Sequence, residues 1–126
     1  MYTSFDAIRS GDLEGVADLL EKGQDPDEAD NRGDTLLHYA AGNYHVKIVK
    51  ALIDARAEVN KANKKDTRPL HFAAARGFSE IVHMLLASRA SPAVANENGL
   101  YHIDMAVLIN AVLDADLRRE LEAGKR

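Results

Sequence analysis

Thr35-Leu-Leu-His-Tyr-Ala-Ala41 is echoed 33 residues later by Arg68-Pro-Leu-His-Phe-Ala-Ala74. Sliding the chain against itself by that distance sets Leu37 on Leu70, His38 on His71, Ala40-Ala41 on Ala73-Ala74 and Ile48-Val49 on Ile81-Val82. It also sets Leu52 on Leu85, Arg56-Ala57 on Arg89-Ala90 and Asn63 on Asn96, ten identities with no gap. Backward, the same register meets Ala7, Val16 and Leu19-Leu20; forward, it meets Gly99 through Gly33 and Asp66, and then Ala106. A fixed period of this length is the mark of a repeat architecture.

Each period holds two helical segments. The first is short, Leu36–Gly42 in one unit and Pro69–Arg76 in the next. Pro69 suits a first helical turn, where its missing N–H is not needed, and Thr35 suits the N-cap of the equivalent helix. Paired alanines let this helix approach its neighbours closely. The second segment has apolar residues at i, i+1, i+4 and i+5, namely Ile48, Val49, Leu52 and Ile53, then Ile81, Val82, Leu85 and Leu86. That is one stripe at helical period. A single helix pair cannot bury such a stripe, whereas stacking on a neighbour can, so the pattern predicts a quasi-linear solenoid.

The two quoted segments resemble the T-P-L-H-x-A-A signature of ankyrin repeats. Residues Ile48–Asn60 and Ile81–Ala93 are similar to the second helix of that family and the G-A-D-V-N turn after it. The likeness covers nearly all of the chain. It implies an all-α ankyrin-repeat α-solenoid of helix–turn–helix pairs with protruding β-turn or hairpin loops. In that family the signature histidine braces neighbouring loops by hydrogen bonds, the role implied for His38 and His71, and a histidine at the position of His45 serves packing. Three departures stand out. Tyr44 replaces the glycine that turns between helices, whereas Gly11 and Gly77 fit. Arg56 and Arg89 replace the glycine ending the second helix, whereas Gly23 fits. If the backbone there is left-handed, each such residue costs about 1 kcal/mol. Arg68 replaces the capping threonine, leaving Asp66 or Thr67 to cap.

The 126 residues suit a single domain, with units at about 1–30 (an N-terminal cap), 31–63, 64–96 and 97–126 (a C-terminal cap). Polar residues on the first unit's helices, among them Asp6, Arg9, Asp12, Glu14, Asp18 and Glu21, suit an outer face. In the last unit the register slips after about Ile109, and Val112, Leu113, Leu117 and Leu121 form a new stripe that Gly124 can stop. This layout fits a complete domain of four units; excision from a longer array is the alternative.

Catalysis finds little support. Without cysteine there is no thiolate zinc site, no disulfide and no cysteine nucleophile. The five histidines show no H-x-x-x-H or H-E-x-x-H spacing, and no G-x-G-x-x-G or Walker loop exists. Neither enzyme activity nor a metal or other cofactor is expected. Apolar runs are too short to span a bilayer, and residues 1–10 carry Asp6 and Arg9 in place of a signal peptide's apolar centre, so an intracellular setting, cytoplasmic or nuclear, is expected. Arg32-Gly33-Asp34 spells a cell-adhesion tripeptide, but the register makes it a loop tip.

Charge points to a partner. Residues 1–30 hold nine acids and two bases, residues 31–96 five acids and ten bases, and residues 97–126 six acids and four bases. The middle is therefore basic between acidic ends, an asymmetry that bears on association. The register sets Arg32, Lys65 and Asn98 in one row of loop tips, and Asn43 and Arg76 in a second row on the first helices. Tips and exposed first-helix side form the concave binding surface that the resemblance implies. The candidate contacts are Arg32, Asp34, Asn43, Lys64, Lys65, Thr67, Arg76, Asn98 and Tyr101. They suit an interaction module, an adaptor or a small regulatory or inhibitory protein, that is monomeric alone and binds an acidic segment of another protein. No aromatic stacking platform favours nucleic acid, and no membrane is expected. A structural, self-stacking role is the alternative, which exposed apolar residues on a cap would favour. Because the last unit departs most from the register and has one neighbour, amides from about Asn110 onward should exchange faster than those of Ile48–Ile53 or Ile81–Leu86. Hydrogen exchange read by mass spectrometry checks this, and uniform protection would contradict it.

Overall fold

The structure, a computed structural model, describes residues 3–90 and Asp114. Within them the chain forms three helix pairs: α1 (Ser4–Ser10) with α2 (Leu13–Glu21), α3 (Leu36–Gly42) with α4 (Val46–Asp54), and α5 (Pro69–Ala75) with α6 (Ser79–Ala87). The second helices repeat at intervals of 33 residues from first to last residue. Helix α1 starts one residue later in the register, because Thr3 and Asp6 cap it reciprocally. The first helices pack in one row, α1 on α3 and α3 on α5, and the second helices pack in another, α2 on α4 and α4 on α6. This is the all-α solenoid that the period predicts. The slipped stripe from Val112 to Leu121 and the stop at Gly124 lie outside the described residues.

Between the rows lies the core. Ile48, Val49, Leu52, Ile81, Val82 and Leu85 are buried, as are the paired alanines Ala40-Ala41 and Ala73-Ala74. Each large aliphatic side chain contributes about 1.5–3 kcal/mol on burial. The alanines stabilise differently: with only a methyl to accommodate, the first helices come together closely enough for their loops to touch.

Caps follow the sequence unevenly. The Thr35 side chain accepts from the backbone N–H of His38, and Pro69 opens α5 as expected. Neither Asp66 nor Thr67 caps α5. The N-cap is Arg68, which cannot accept a hydrogen bond through its side chain, and the ring Nδ1 of His71 accepts from the Arg68 N–H instead. The histidine reaching back replaces the missing hydroxyl by satisfying the other half of the same reciprocal pair.

Left-handed backbone recurs with the period. It occurs at Gly11, Tyr44 and Gly77 between paired helices, at Gly23, Arg56 and Arg89 after second helices, and at Gly33 and Asp66 in the loop tips. Tyr44 (φ 61°), Arg56 (φ 67°) and Arg89 (φ 71°) therefore carry the strain that their substitution for glycine implies. Gly33 needs to be glycine for a second reason. A Cβ there would lie 2.9 Å from the backbone nitrogen of Lys64, which donates to the Arg32 carbonyl. Arg56→Gly should stabilise the fold by about 1 kcal/mol, whereas Gly33→Ala should destabilise it by about 2 kcal/mol. Urea denaturation midpoints read both, and the same sign for the two changes would contradict the assignment.

Candidate functional site

The loop tips are built twice on one plan. In the first, the backbone N–H of Asp30 donates to the Asp34 carbonyl, that of Gly33 donates to the Asp30 carbonyl, and the Asp30 carboxylate accepts from the N–H groups of Arg32 and Asp34. In the second, Asn63 takes the place of Asp30, and its side-chain oxygen accepts from the N–H groups of Lys65 and Thr67. Side chains of this length suit the task because they bond their own backbone two residues on. A single antiparallel bridge joins Ala29 to Thr35 at the base of the first tip.

Three bonds fasten one tip to the next. The Lys64 N–H donates to the Arg32 carbonyl at 3.0 Å, the Asn63 side-chain NH2 donates to Asp34 at 2.8 Å, and His38 Nε2 lies 2.8 Å from the Thr67 carbonyl. Because Nδ1 of His38 accepts from the Thr35 N–H, the proton belongs on Nε2, which donates to Thr67. The buried ring stays neutral. Burial pushes the pKa of His38 below its ordinary 6.5, outweighing the Thr67 carbonyl, Asp34 and Asp30, which favour the charged form. His71 makes the same Nδ1 bond, and burial, then Arg68 and His38, lower its pKa too. Its Nε2 has no partner among the described residues; the position matching Thr67 is Leu100, which lies outside them. The ring of His45 packs against the Gly11 turn of the preceding unit, where a Cβ would lie 3.0 Å from it.

Beside the tips, on the first-helix row, a cleft of ≈ 250 Å³ is lined by Arg32, Asp34, His38, Tyr39, Gly42, Asn43, Phe72 and Arg76. It brings four of the predicted contacts, Arg32, Asp34, Asn43 and Arg76, to one place. Lys64 and Lys65 are exposed on the neighbouring tip. Two predicted contacts have other work. Asp34 is buried, and its carboxylate accepts from Asn63, so the aspartate of the Arg32-Gly33-Asp34 tripeptide is held within the fold. Half-buried Thr67 contributes its carbonyl to His38 and its N–H to Asn63. Asn98 and Tyr101 lie outside the described residues.

The floor of this cleft is aromatic, at positions the signature motif does not specify. Tyr39 and Phe72 occupy the variable position after each signature histidine. The Tyr39 hydroxyl donates to Asp30, its ring meets Phe5 edge-on with centroids 5.5 Å apart, and the guanidinium of Arg9 lies 5.5 Å from its centre. Burial tends to raise the pKa of Asp30, but the bonds from Tyr39, Arg32 and Asp34 and the charge of Arg32 hold it below its ordinary value. Phe72 stands edge-on to His38, with centroids 5.6 Å apart. Tyr44, 51% exposed, leans on Phe78 at the turns between paired helices, with centroids 4.9 Å apart. The recurrence of an aromatic residue at positions 39 and 72 was the available signal.

Among known proteins, the profile of the family described as ankyrin repeats (3 copies) matches residues 4–96. Ankyrin repeat domain-containing protein 39 of Homo sapiens is 38% identical over 52 residues, a match covering 41% of this chain and 28% of that protein. The chain therefore spans little more than a quarter of that relative's length.

The histidines set a pH dependence. Their pKa values are lower folded than unfolded, so the unfolded chain takes up protons first as pH falls. The associated stability is fully present above about pH 6.5 and is lost as pH drops below it toward the folded values. Urea midpoints should therefore fall between about pH 7.5 and pH 5. His38→Gln should shrink that slope without abolishing it, because His71 keeps its share. A midpoint independent of pH across this range would contradict the buried neutral rings.

Proposed function

The chain belongs to the ankyrin-repeat family, and from that premise we propose that it is an adaptor or small regulatory protein that binds one partner protein through its loop tips and concave first-helix face. Ankyrin repeats are generally protein–protein interaction modules; which partner each one binds is decided by residues on its surface, not by its fold. The observation carrying the proposal is the contrast within the tips. Their backbones are fastened unit to unit, yet Arg32, Lys64 and Lys65 project into solvent beside the cleft that holds Asn43 and Arg76. Charges on a fixed frame are arranged before a partner arrives, so little ordering cost opposes binding.

The partner presents acidic residues, and its encounter with the domain is steered by charge. We assign no catalytic role, in keeping with a typically non-enzymatic family. We place the protein inside the cell, in the cytoplasm or nucleus. Among the described residues no helix is long and apolar enough to cross a membrane.

Exposed lysines at a tip contribute little to folding, and salt screens their reach over about 8 Å at physiological ionic strength. Lys64→Glu with Lys65→Glu should leave the melting temperature nearly unchanged. It should weaken partner binding mainly by slowing association, and flatten its salt dependence. Surface plasmon resonance against the native partner at two salt concentrations checks this. Wild-type association kinetics at low salt would overturn the proposal.

A further inference from the structure

Within the binding cleft one position is smaller than the fold requires. Gly42 ends α3, where the repeat register puts Arg9 in the unit before and Ala75 in the unit after. Its backbone is not left-handed, since it is absent from the positive-φ positions. A Cβ added there would meet only Phe72, 3.7 Å from its Cβ and 3.9 Å from its Cγ, which is ordinary contact. Alanine would therefore fit, and glycine, at the last residue of α3 and without left-handed backbone, has the lower helix propensity of the two. The fold gains nothing visible from the glycine. Gly42 is buried in the cleft floor, and the place of its absent side chain is walled by Phe72.

Charge brackets this place. Arg32 precedes the N-terminus of α3, and Arg76 caps the C-terminus of α5; both are exposed and both line the cleft. Neither guanidinium donates a hydrogen bond or forms a salt bridge among the described residues, although Arg32 is near enough to Asp30 to help lower its pKa. The acids nearby are differently placed. Asp34 accepts from Asn63, and Asp30 accepts from Tyr39 and two backbone N–H groups. Arg32 stands on a loop tip and Arg76 beyond the C-terminal end of the neighbouring first helix, so the two lie at opposite ends of that helix.

We propose that the cleft takes an extended acidic segment of a partner protein, with carboxylates on Arg32 and Arg76 and a bulky apolar side chain between them at the Gly42–Phe72 position. This rests on the proposal that the protein binds a partner through this face, and it adds the ligand's chemistry. A volume of ≈ 250 Å³ admits a large side chain and its flanking backbone but not a helix about 10 Å across. The Gly42 backbone and the Phe72 ring offer an apolar contact, and the arginine forks suit carboxylates.

Three fluorescein-labelled peptides test this on the full chain by fluorescence polarisation at low salt. Each carries a central leucine, alanine or lysine with glutamates on both sides. The leucine peptide should bind about tenfold more tightly than the alanine peptide, and the lysine peptide more weakly still. Gly42→Ala should raise the melting temperature and abolish the preference for leucine. Arg76→Glu should weaken all three. A glycine with only a structural role would alter the melting temperature and leave peptide preference intact. Failure of the leucine peptide to bind, no preference among the peptides on the wild-type chain, or a preference that survives in Gly42→Ala overturns the inference. The two proposals fail separately. If the lysine double variant loses the native partner while Gly42→Ala binds it as the wild type does, the apolar contact at Gly42 falls and the interaction surface stands. If both variants bind as the wild type does, both fall.

Discussion

The hydrogen bond from the His38 ring to the Thr67 carbonyl holds this surface together, because it joins two units that share no regular secondary structure at their tips. One imidazole serves both ends of a single connection. Its Nδ1 closes the cap of α3 by accepting from Thr35, and its Nε2 crosses to the next loop. A neutral hydrogen bond contributes only about 1 kcal/mol net, but a buried polar group stripped of its partner costs about 1–3 kcal/mol. Removing this ring would strand the Thr35 N–H and leave the Thr67 carbonyl with the Asn63 N–H alone. Beside it, the Asn63–Asp34 and Lys64–Arg32 bonds join the same two tips.

Stability and function are divided between layers. The aliphatic stripe of α4 and α6 supplies the burial that drives stacking, and the alanines of α3 and α5 set how close the first helices come. Ion pairs play little part. Lys22–Asp18 and Lys50–Asp54 are solvent-exposed pairs within single helices, of a kind that contributes about 0–1 kcal/mol. The fold also tolerates left-handed backbone at Tyr44, Arg56, Asp66 and Arg89. Such strain is bearable in a solenoid because each unit's deficit is shared with its neighbours through their interfaces.

Much of the fold was legible because it is periodic. Offset identities placed the first helices of the inner units to within a residue, and Thr35 and Pro69 marked helix starts on chemical grounds that the structure repeats. The cap at Arg68 was misjudged because the nearest hydroxyl and carboxylate were sought in sequence, whereas a ring three residues ahead does the work. Asp34 reads in the sequence as a partner contact on a loop tip; its partner Asn63 lies 29 residues away, a pairing that local pattern does not carry. The cleft was half legible. Arg32, Asn43 and Arg76 followed from the register, while Tyr39, Phe72 and Gly42 did not, since a floor between two helices becomes visible only when their faces are set side by side.

The central claim is that a neutral His38 ring, protonated on Nε2, bridges two units. Nitrogen-detected NMR of the histidine rings at about pH 7.5 tests it most directly, because it distinguishes the two tautomers and the charged form. The account predicts for His38 a protonated Nε2, an unprotonated Nδ1, and an Nε2–H that exchanges slowly with water and couples to the Thr67 carbonyl carbon. A proton on Nδ1, or ring nitrogens averaged between tautomers by fast exchange, would contradict it.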